Sequence, residues 1–359
     1  MSKGKVLLGL SGGVDSSVSG LLLKNEGYEV TALFMRNWED DDGSPYCSVK
    51  EDFMDAIFVS EQLKINLIEE NFSKEYKRKV FEYFISELEA GRTPNPDILC
   101  NKEIKFKKFF NYAMDNGYDY IATGHYVRNF INKKETYLLK GKDELKDQSY
   151  FLHSISNKSL SKTIFPVGGV NKTKVREVAK KEGLITSEKK DSTGICFIGE
   201  RPFPEFLMTY LPISPGYIED ENGKRIGEHK GLHFYTLGQR QGLGIGGLKN
   251  SGNLPWYVAI KNSKDNTLVV VQGHNHPLLM SNEIKTKDLN LINDIQEKEF
   301  EGAVKVRYRQ KDQKCIIKIS EDTLSIKFNE PQRAVTPGQS AVIYKDDICL
   351  GGGEIMDIS

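Results

Sequence analysis

The stretch "NPDILCNKEIKF", residues 95–106, places an acid, Asp97, three residues before a cysteine, Cys100, and then opens a lysine-studded segment. Cys100 reads either as a small apolar core residue or as a thiol placed for chemistry, and the local sequence leaves both open. If it works as a thiol it works as the thiolate, and the start of a basic helix beside Lys102 favours that form. A second chemistry-bearing stretch is "GLSGGVDSS", residues 9–17. A glycine-rich turn between a strand and a helix makes an anion site from backbone N–H groups and the helix N-terminus. It is neither the G-x-G-x-x-G turn nor the G-x-x-x-x-G-K-[ST] loop. Its core is S-G-G-x-D-S, without lysine. Gly12 and Gly13 let the backbone approach a phosphate, and Ser11, Ser16 and Ser17 add hydroxyl donors. Asp15 repels bare phosphate, so it calls for Mg²⁺ or a helix-capping role. The plain alternative is an ordinary capped strand-to-helix turn.

These residues need a scaffold, and the first half of the chain supplies alternating patterns. "KVLLGL", "YEVTALFMR", "INLIEENF" and "YDYIATGH" read as buried strands. "SSVSGLLLKNEG", "KEDFMDAIFVSEQLK", "SKEYKRKVFEYFISELEAG" and "KEIKFKKFFNYAMDNG" read as helices, the third with a serine start and a glycine stop. The alternation predicts an α/β domain on a parallel sheet, with ligands at the carboxyl ends of the strands. After about residue 200 the chain turns glycine-rich with short alternating runs. From about 283 it becomes a series of short strands, including "GAVKVRYRQ", "KCIIKIS" and "QSAVIYKDDICLGGGEI", which suggests a small antiparallel β-barrel. The expected domains are 1–205, an α/β domain that carries the glycine-rich loop; 206–280, a small β-rich central domain; and 281–359, a C-terminal antiparallel barrel.

Composition sets limits. A chain of 359 residues exceeds one ordinary core. It holds no apolar run of ~18 residues, so no membrane span is expected. Its start leads directly into a strand, so a cytoplasmic location is the expectation. The five cysteines, Cys47, Cys100, Cys196, Cys315 and Cys349, include no C-x-x-C pair. That argues against a structural zinc site and against a disulfide framework. Cys196 lies in "STGICF" near Lys189 and Lys190; Cys47, Cys315 and Cys349 read as inert. The acidic turn Glu39–Asp42 reads as a mobile loop, and no dedicated metal site is expected. Lys plus Arg equal Asp plus Glu at 50 each, so net charge neither requires nor excludes a nucleic-acid partner. Two local runs are basic, "NKEIKFKKFF" and "KTKVREVAKK" (172–181), and either reads alone as a solvated helix face.

The loop resembles the PP-loop of the ATP pyrophosphatase family, whose members cleave ATP between the α- and β-phosphates. The resemblance implies an adenine nucleotide α-hydrolase-like fold and adenylation of an oxygen that then leaves as AMP. With "GRTPNPDILCNKEIKF", "ATGHYVR", "KDQSYFLH", "DSTGICFIGER", "TLGQRQGLGIGG", "VRYRQ" and "TPGQSAVIY", the chain resembles the tRNA-specific 2-thiouridylase family nearly end to end. That family implies ATP, with Mg²⁺, held by Gly9, Leu10, Ser11, Gly12, Gly13, Val14, Asp15, Ser16, Met35 and Gly124. It implies a persulfide on Cys196, with Cys100 as the partner nucleophile and a transient Cys100–Cys196 disulfide. Asp97 would be a general acid or base, and Asn95, Pro96 and Asp97 the pocket for a base taken out of its stack. His125, Lys146, Asp147, Gln148, Arg307, Tyr308 and Gln339 would contact the tRNA, Arg307 and Tyr308 from a barrel strand. The implied partners are tRNA and a sulfur-donating persulfide carrier or cysteine desulfurase. Two other readings share some of these features. A PP-loop amidating ligase would use ATP alike but need no cysteine, and an RNA-binding module with a decayed loop would need no ATP.

Overall fold

The computed structural model describes residues 2–39, 49–133, 135–191, 203–245 and 254–359. The first domain is built on β1 (Lys5–Gly9), β2 (Glu29–Arg36), β3 (Asn66–Asn71) and β4 (Tyr120–Ala122). A hairpin follows, β5 (Val127–Asn132) and β6 (Glu135–Lys140), and then the short β7 (Thr163–Ile164). β1, β2, β3, β4 and β7 form a parallel sheet in the order β3-β2-β1-β4-β7. β1 is central, and Val6 to Gly9 are all buried, as a strand covered on both faces requires. α1 (Val14–Asn25) and α2 (Val49–Leu63) cover one face through Val14, Val18, Leu23, Ala56 and Val59. Helical runs at residues 73–89 and 96–115 cover the other, through Tyr76, Phe81, Phe84, Ile104 and Phe109. The chain leaves β1 toward β2 but returns to β4 on the opposite side. The strand order therefore reverses between β1 and β4, where open α/β sheets bind ligands.

The central domain has β8 (Gly216–Glu219), β9 (Arg225–His229), β10 (Trp256–Asn262) and β11 (Thr267–Gln272), in the order β10-β11-β8-β9. Ile218, Val258, Leu268 and Val270 fill its core. The helix Phe203–Met208 straddles the expected boundary at 205, with Phe206 and Leu207 in the core of the first domain.

The last domain runs through β12 (Met280–Leu291), β13 (Glu299–Lys305), β14 (Gln313–Ser320), β15 (Thr323–Arg333), β16 (Ser340–Lys345) and β17 (Ile348–Ile358). The neighbours pair antiparallel, and β12 pairs with both β15 and β17, which closes a six-stranded barrel. β14 alternates buried and exposed side chains along Lys314–Ser320, as a barrel wall with one wet face must. "VRYRQ" does not continue a strand: β13 stops at Lys305, and Arg309 takes a positive φ of 64° in the turn that follows. Arg307 and Tyr308 therefore belong to a turn, because the chain must reverse there before β14.

The barrel is tied to the first domain. β6 pairs with β17 (Leu139 with Ile348, Leu138 with Cys349), so the β5–β6 hairpin extends the barrel sheet. Val342, Tyr344 and Cys349 share one apolar cluster with Leu138, Tyr150 and Leu152.

Candidate nucleotide loop and thiol site

At the end of β1 the backbone turns through Leu10–Gly13 into α1. Gly12 has φ +72°, and a Cβ there would lie 2.2 Å from the Asp52 carbonyl oxygen, so only glycine fits. Ser16 Oγ accepts from the Ser11 N–H at 3.2 Å, and Ser16 and Ser17 hydroxyls donate to the Gly13 carbonyl at 3.0 and 2.9 Å. These bonds hold the turn open at the α1 N-terminus, where the first N–H groups of a helix carry partial positive charge. Gly9 packs on Met35, whose methyl would lie 3.3 Å from a Cβ at Gly9. Gly124 follows β4, and its Cβ would lie 2.9 Å from both the Asp15 carbonyl carbon and the Ser16 nitrogen. The structure thus brings Gly9 to Ser16, Met35 and Gly124 around one loop. Gly124→Ala is expected to push Asp15 and Ser16 out of place and raise KM for ATP about tenfold or more at unchanged folding. Nucleotide titration checks this, and ordinary ATP affinity in the variant would refute the close approach.

Asp15 does not cap α1; Gly13 occupies that position without a side-chain bond. Lys172 Nζ instead sits 2.7 Å from both Asp15 carboxylate oxygens, and Tyr126 donates its hydroxyl to Asp15 Oδ1 at 2.7 Å. Lys172 also pairs with Asp191 at 2.7 Å, which binds Lys146 at 2.7 Å and Arg176 at 2.9 Å. Burial alone would raise the Asp191 carboxyl, but Lys146 and Lys172 outweigh it and hold it at about 2. Lys189 donates to the Gly12 carbonyl at 3.0 Å and pairs with Asp52 and Asp55. Burial pulls its pKa down, yet the two carboxylates raise it overall. Lys189 is thus a brace of the loop; Cys196, which the sequence puts near it, lies outside the described residues. Lys172, Asp191 and Tyr126 were not singled out from the sequence. Lys172 carried a signal, since it opens a helix at its positive end, where cations are disfavoured.

Among the described residues no group of three metal-ligating side chains is found. The loop has what a triphosphate requires: glycines without Cβ, backbone N–H groups and serine hydroxyls. Mg²⁺ would find the Asp15 carboxylate, shared with Lys172.

Asn95 caps the helical run 96–115 by accepting from the Asp97 N–H at 3.1 Å, and Pro96 takes the first helical position. Asn95, Pro96 and Asp97 are half-buried and Cys100 is fully buried in the next turn. From Cys100 to Phe109 the run widens into π-type turns, which often mark functional sites. Phe109 reaches Gly9, so Cys100 stands roughly 10–14 Å away along the axis. Cys47, Cys196 and Asp40 to Asp42 lie outside the described residues.

The expected RNA contacts divide. Lys146 is partly exposed. His125 is buried with Nδ1 2.9 Å from Thr123 Oγ1 and its ring against Phe106; burial, then Lys105, push its pKa well down and keep it neutral. Asp147 is buried, accepting from the Gly141 and Ser149 N–H groups and the Ser149 hydroxyl and pairing with Lys305 at 3.1 Å. Gln148 Oε1 accepts from the Tyr126 N–H at 2.8 Å. Arg307 Nη2 donates inward to Leu237 O, Ala334 O and Thr336 Oγ1. Tyr308 lies 4.4 Å from the Phe151 ring, and Gln339 Nε2 donates to Thr93 O at 2.6 Å. Cys315 and Cys349 are buried, and burial pushes both thiols up to about 12, which fits an inert role.

Three domain models match the chain: a tRNA methyl transferase HUP domain over residues 4–200, a tRNA methyl transferase PRC-barrel domain over 204–272, and an aminomethyltransferase beta-barrel domain over 281–355. The tRNA-specific 2-thiouridylase MnmA of Francisella tularensis subsp. novicida (strain U112) is 53% identical over 359 residues, 99% of this chain and 100% of that protein. The protein of the same name from F. tularensis subsp. holarctica (strain OSU18) matches with the same identity and coverage. Among solved structures, the U34-tRNA thiolase NcsA from Methanococcus maripaludis with its [4Fe-4S] cluster is 18% identical. That match covers 59% of this chain and 67% of that one, with a TM-score of 0.36. Through its full-length match and its three domains in order, the chain belongs to the tRNA-specific 2-thiouridylase family.

Proposed function

We propose that the protein is a tRNA uridine 2-sulfurtransferase that exchanges the C2 oxygen of a wobble uridine for sulfur at the expense of ATP. The observation that carries this is the S-G-G-V-D-S loop at the strand-order reversal, in a chain that matches 2-thiouridylases over its whole length. ATP, with Mg²⁺, supplies the adenylyl group: the C2 oxygen attacks the α-phosphorus and pyrophosphate departs. The loop N–H groups and the α1 N-terminus hold the phosphates, while Lys172 offsets Asp15 beside them. The terminal sulfur of a persulfide on Cys196 attacks C2, and AMP leaves with the former C2 oxygen. The Cys100 thiolate then attacks the Cys196 sulfur, freeing the thiolated base and leaving a Cys100–Cys196 disulfide that a thiol reductant reopens. Asp97, one turn before Cys100, moves the proton at the ring. Asn95 to Asp97 line the base pocket and Lys146 meets the RNA backbone. A persulfide carrier or cysteine desulfurase recharges Cys196.

Mass spectrometry of tRNA from cells lacking the protein tests the reading. Wobble 2-thiouridine is expected to disappear and to return with the intact gene. Unchanged 2-thiouridine, with no second copy present, would overturn it. The domain-model descriptions speak of methyl transfer, and the same spectra separate a lost methyl from a lost sulfur.

A further inference from the structure

Two separate paths of polar contacts join the turn 141–148 to the Asp15 carboxylate. In the first, Lys146 pairs with Asp191 Oδ2 at 2.7 Å, Asp191 Oδ1 pairs with Lys172 at 2.7 Å, and Lys172 reaches both Asp15 oxygens. In the second, Gln148 exchanges bonds with the Tyr126 backbone. Its N–H donates to the Tyr126 carbonyl at 3.1 Å, and its Oε1 accepts from the Tyr126 N–H at 2.8 Å. The Tyr126 hydroxyl then donates to Asp15 Oδ1. The turn itself is pinned to the same elements: Asp143 accepts from the Lys172 and Leu145 N–H groups at 2.9 and 3.1 Å.

Charges alternate along the first path. Lys146 is its outer, partly exposed member, and Lys172 is the nearly buried one, held between two carboxylates. An RNA phosphate that engages Lys146 takes a cation from Asp191. Asp191 then draws harder on Lys172, and the hold of Lys172 on Asp15 weakens. Mg²⁺ and Lys172 compete for the same Asp15 carboxylate, so this change opens Asp15 to the cation that accompanies a triphosphate. Arg176, 2.9 Å from Asp191 Oδ1, fixes Asp191 from the side, and Lys172 stays beside the loop as counter-charge.

We propose that Asp191 is a positioning residue that couples the turn 146–148 to the nucleotide loop, so that RNA and Mg²⁺-ATP each strengthen the binding of the other. The proposal rests on the reading that the loop takes ATP and that Lys146 meets RNA.

Titrations of the full-length protein test it, with a non-hydrolysable ATP analogue plus Mg²⁺ as one ligand and unmodified tRNA as the other. In the wild type, saturating tRNA is expected to tighten the analogue about fivefold to tenfold, and the analogue to tighten tRNA by the same factor, as linkage requires. Asp191→Asn removes the charge that joins the two lysines, and should leave either ligand within about twofold of indifferent to the other. Lys146→Gln gives the sharper sign. It deletes a cation, which simple attraction of a triphosphate would register as weaker binding. The coupling instead requires the analogue to bind about threefold tighter without tRNA, and to gain no more than about twofold when tRNA saturates. Lys146 is partly exposed, so this variant keeps its fold. Weaker or unchanged analogue binding in Lys146→Gln would overturn the proposal, and so would the wild-type response retained in Asp191→Asn. Affinities are read without turnover. A wild type that showed the coupling but formed no 2-thiouridine would refute the sulfur-transfer reading and leave the coupling standing.

Discussion

Cys100→Ser is expected to lower thiolation of tRNA by about 10³-fold or more while tRNA-dependent pyrophosphate release continues. The substitution changes one atom at a fully buried position, so folding should survive it. A hydroxyl at that position has too high a pKa to attack a persulfide-derived sulfur, whereas adenylation at the loop needs no thiol. Product 2-thiouridine measured by mass spectrometry, beside released pyrophosphate, reads the two half-reactions separately. If Cys100 were only a packing residue, Cys100→Ser and Cys100→Ala would both keep most of the wild-type rate, and that result would sink the nucleophile assignment.

Lys172→Met carries the second large effect, on stability and chemistry together. Lys172 is nearly buried and is the cation that Asp15 and Asp191 share. Removing it leaves two partly covered carboxylates facing each other without their common partner. Breaking a buried ion pair from one side costs about 3–5 kcal/mol; the partial exposure of the carboxylates puts this case near 3 kcal/mol. Pyrophosphate release should fall at least about tenfold, since Asp15 would then present uncompensated charge to a triphosphate. Denaturant titration and ATP kinetics check both parts. Asp15→Asn in the same chain should restore part of the lost stability, because the two changes share a contact. Additive losses in the double variant would mean that the pair does not couple.

How much of this was legible beforehand depends on the distance over which each signal acts. The strands "KVLLGL" and "YEVTALFMR" and the Ser11–Ser16 loop are local patterns, and the structure contains them, whereas the helix read from Lys102 begins earlier, at Pro96 with Asn95 as its cap. The role of Lys172 was hidden because its partner Asp15 lies 157 residues away, while its immediate neighbours make it look like one lysine of a solvated helix. Arg307 and Tyr308 were read as strand because β13 supplies the alternation just before them. Only the tertiary demand for a reversal, with Arg309 in a positive-φ conformation, moves them into a turn. Gln339 and Asp147 look like polar surface in one dimension and turn inward in three, because bonding to Thr93 and Lys305 requires a domain from elsewhere in the chain.

The pairing of β6 with β17 has a consequence during synthesis. β6 ends at Lys140 and its outer partner begins at Ile348. At about 5–20 residues per second, a ribosome needs roughly 10–40 s to make the intervening chain. Through that interval the nascent first domain presents an unpaired β6 edge, with Phe130 and Ile131 exposed on the adjoining strand. Such an edge invites pairing with other chains. A holding chaperone, or slow translation at low temperature, would act on this interval before the last strand arrives to seal the sheet.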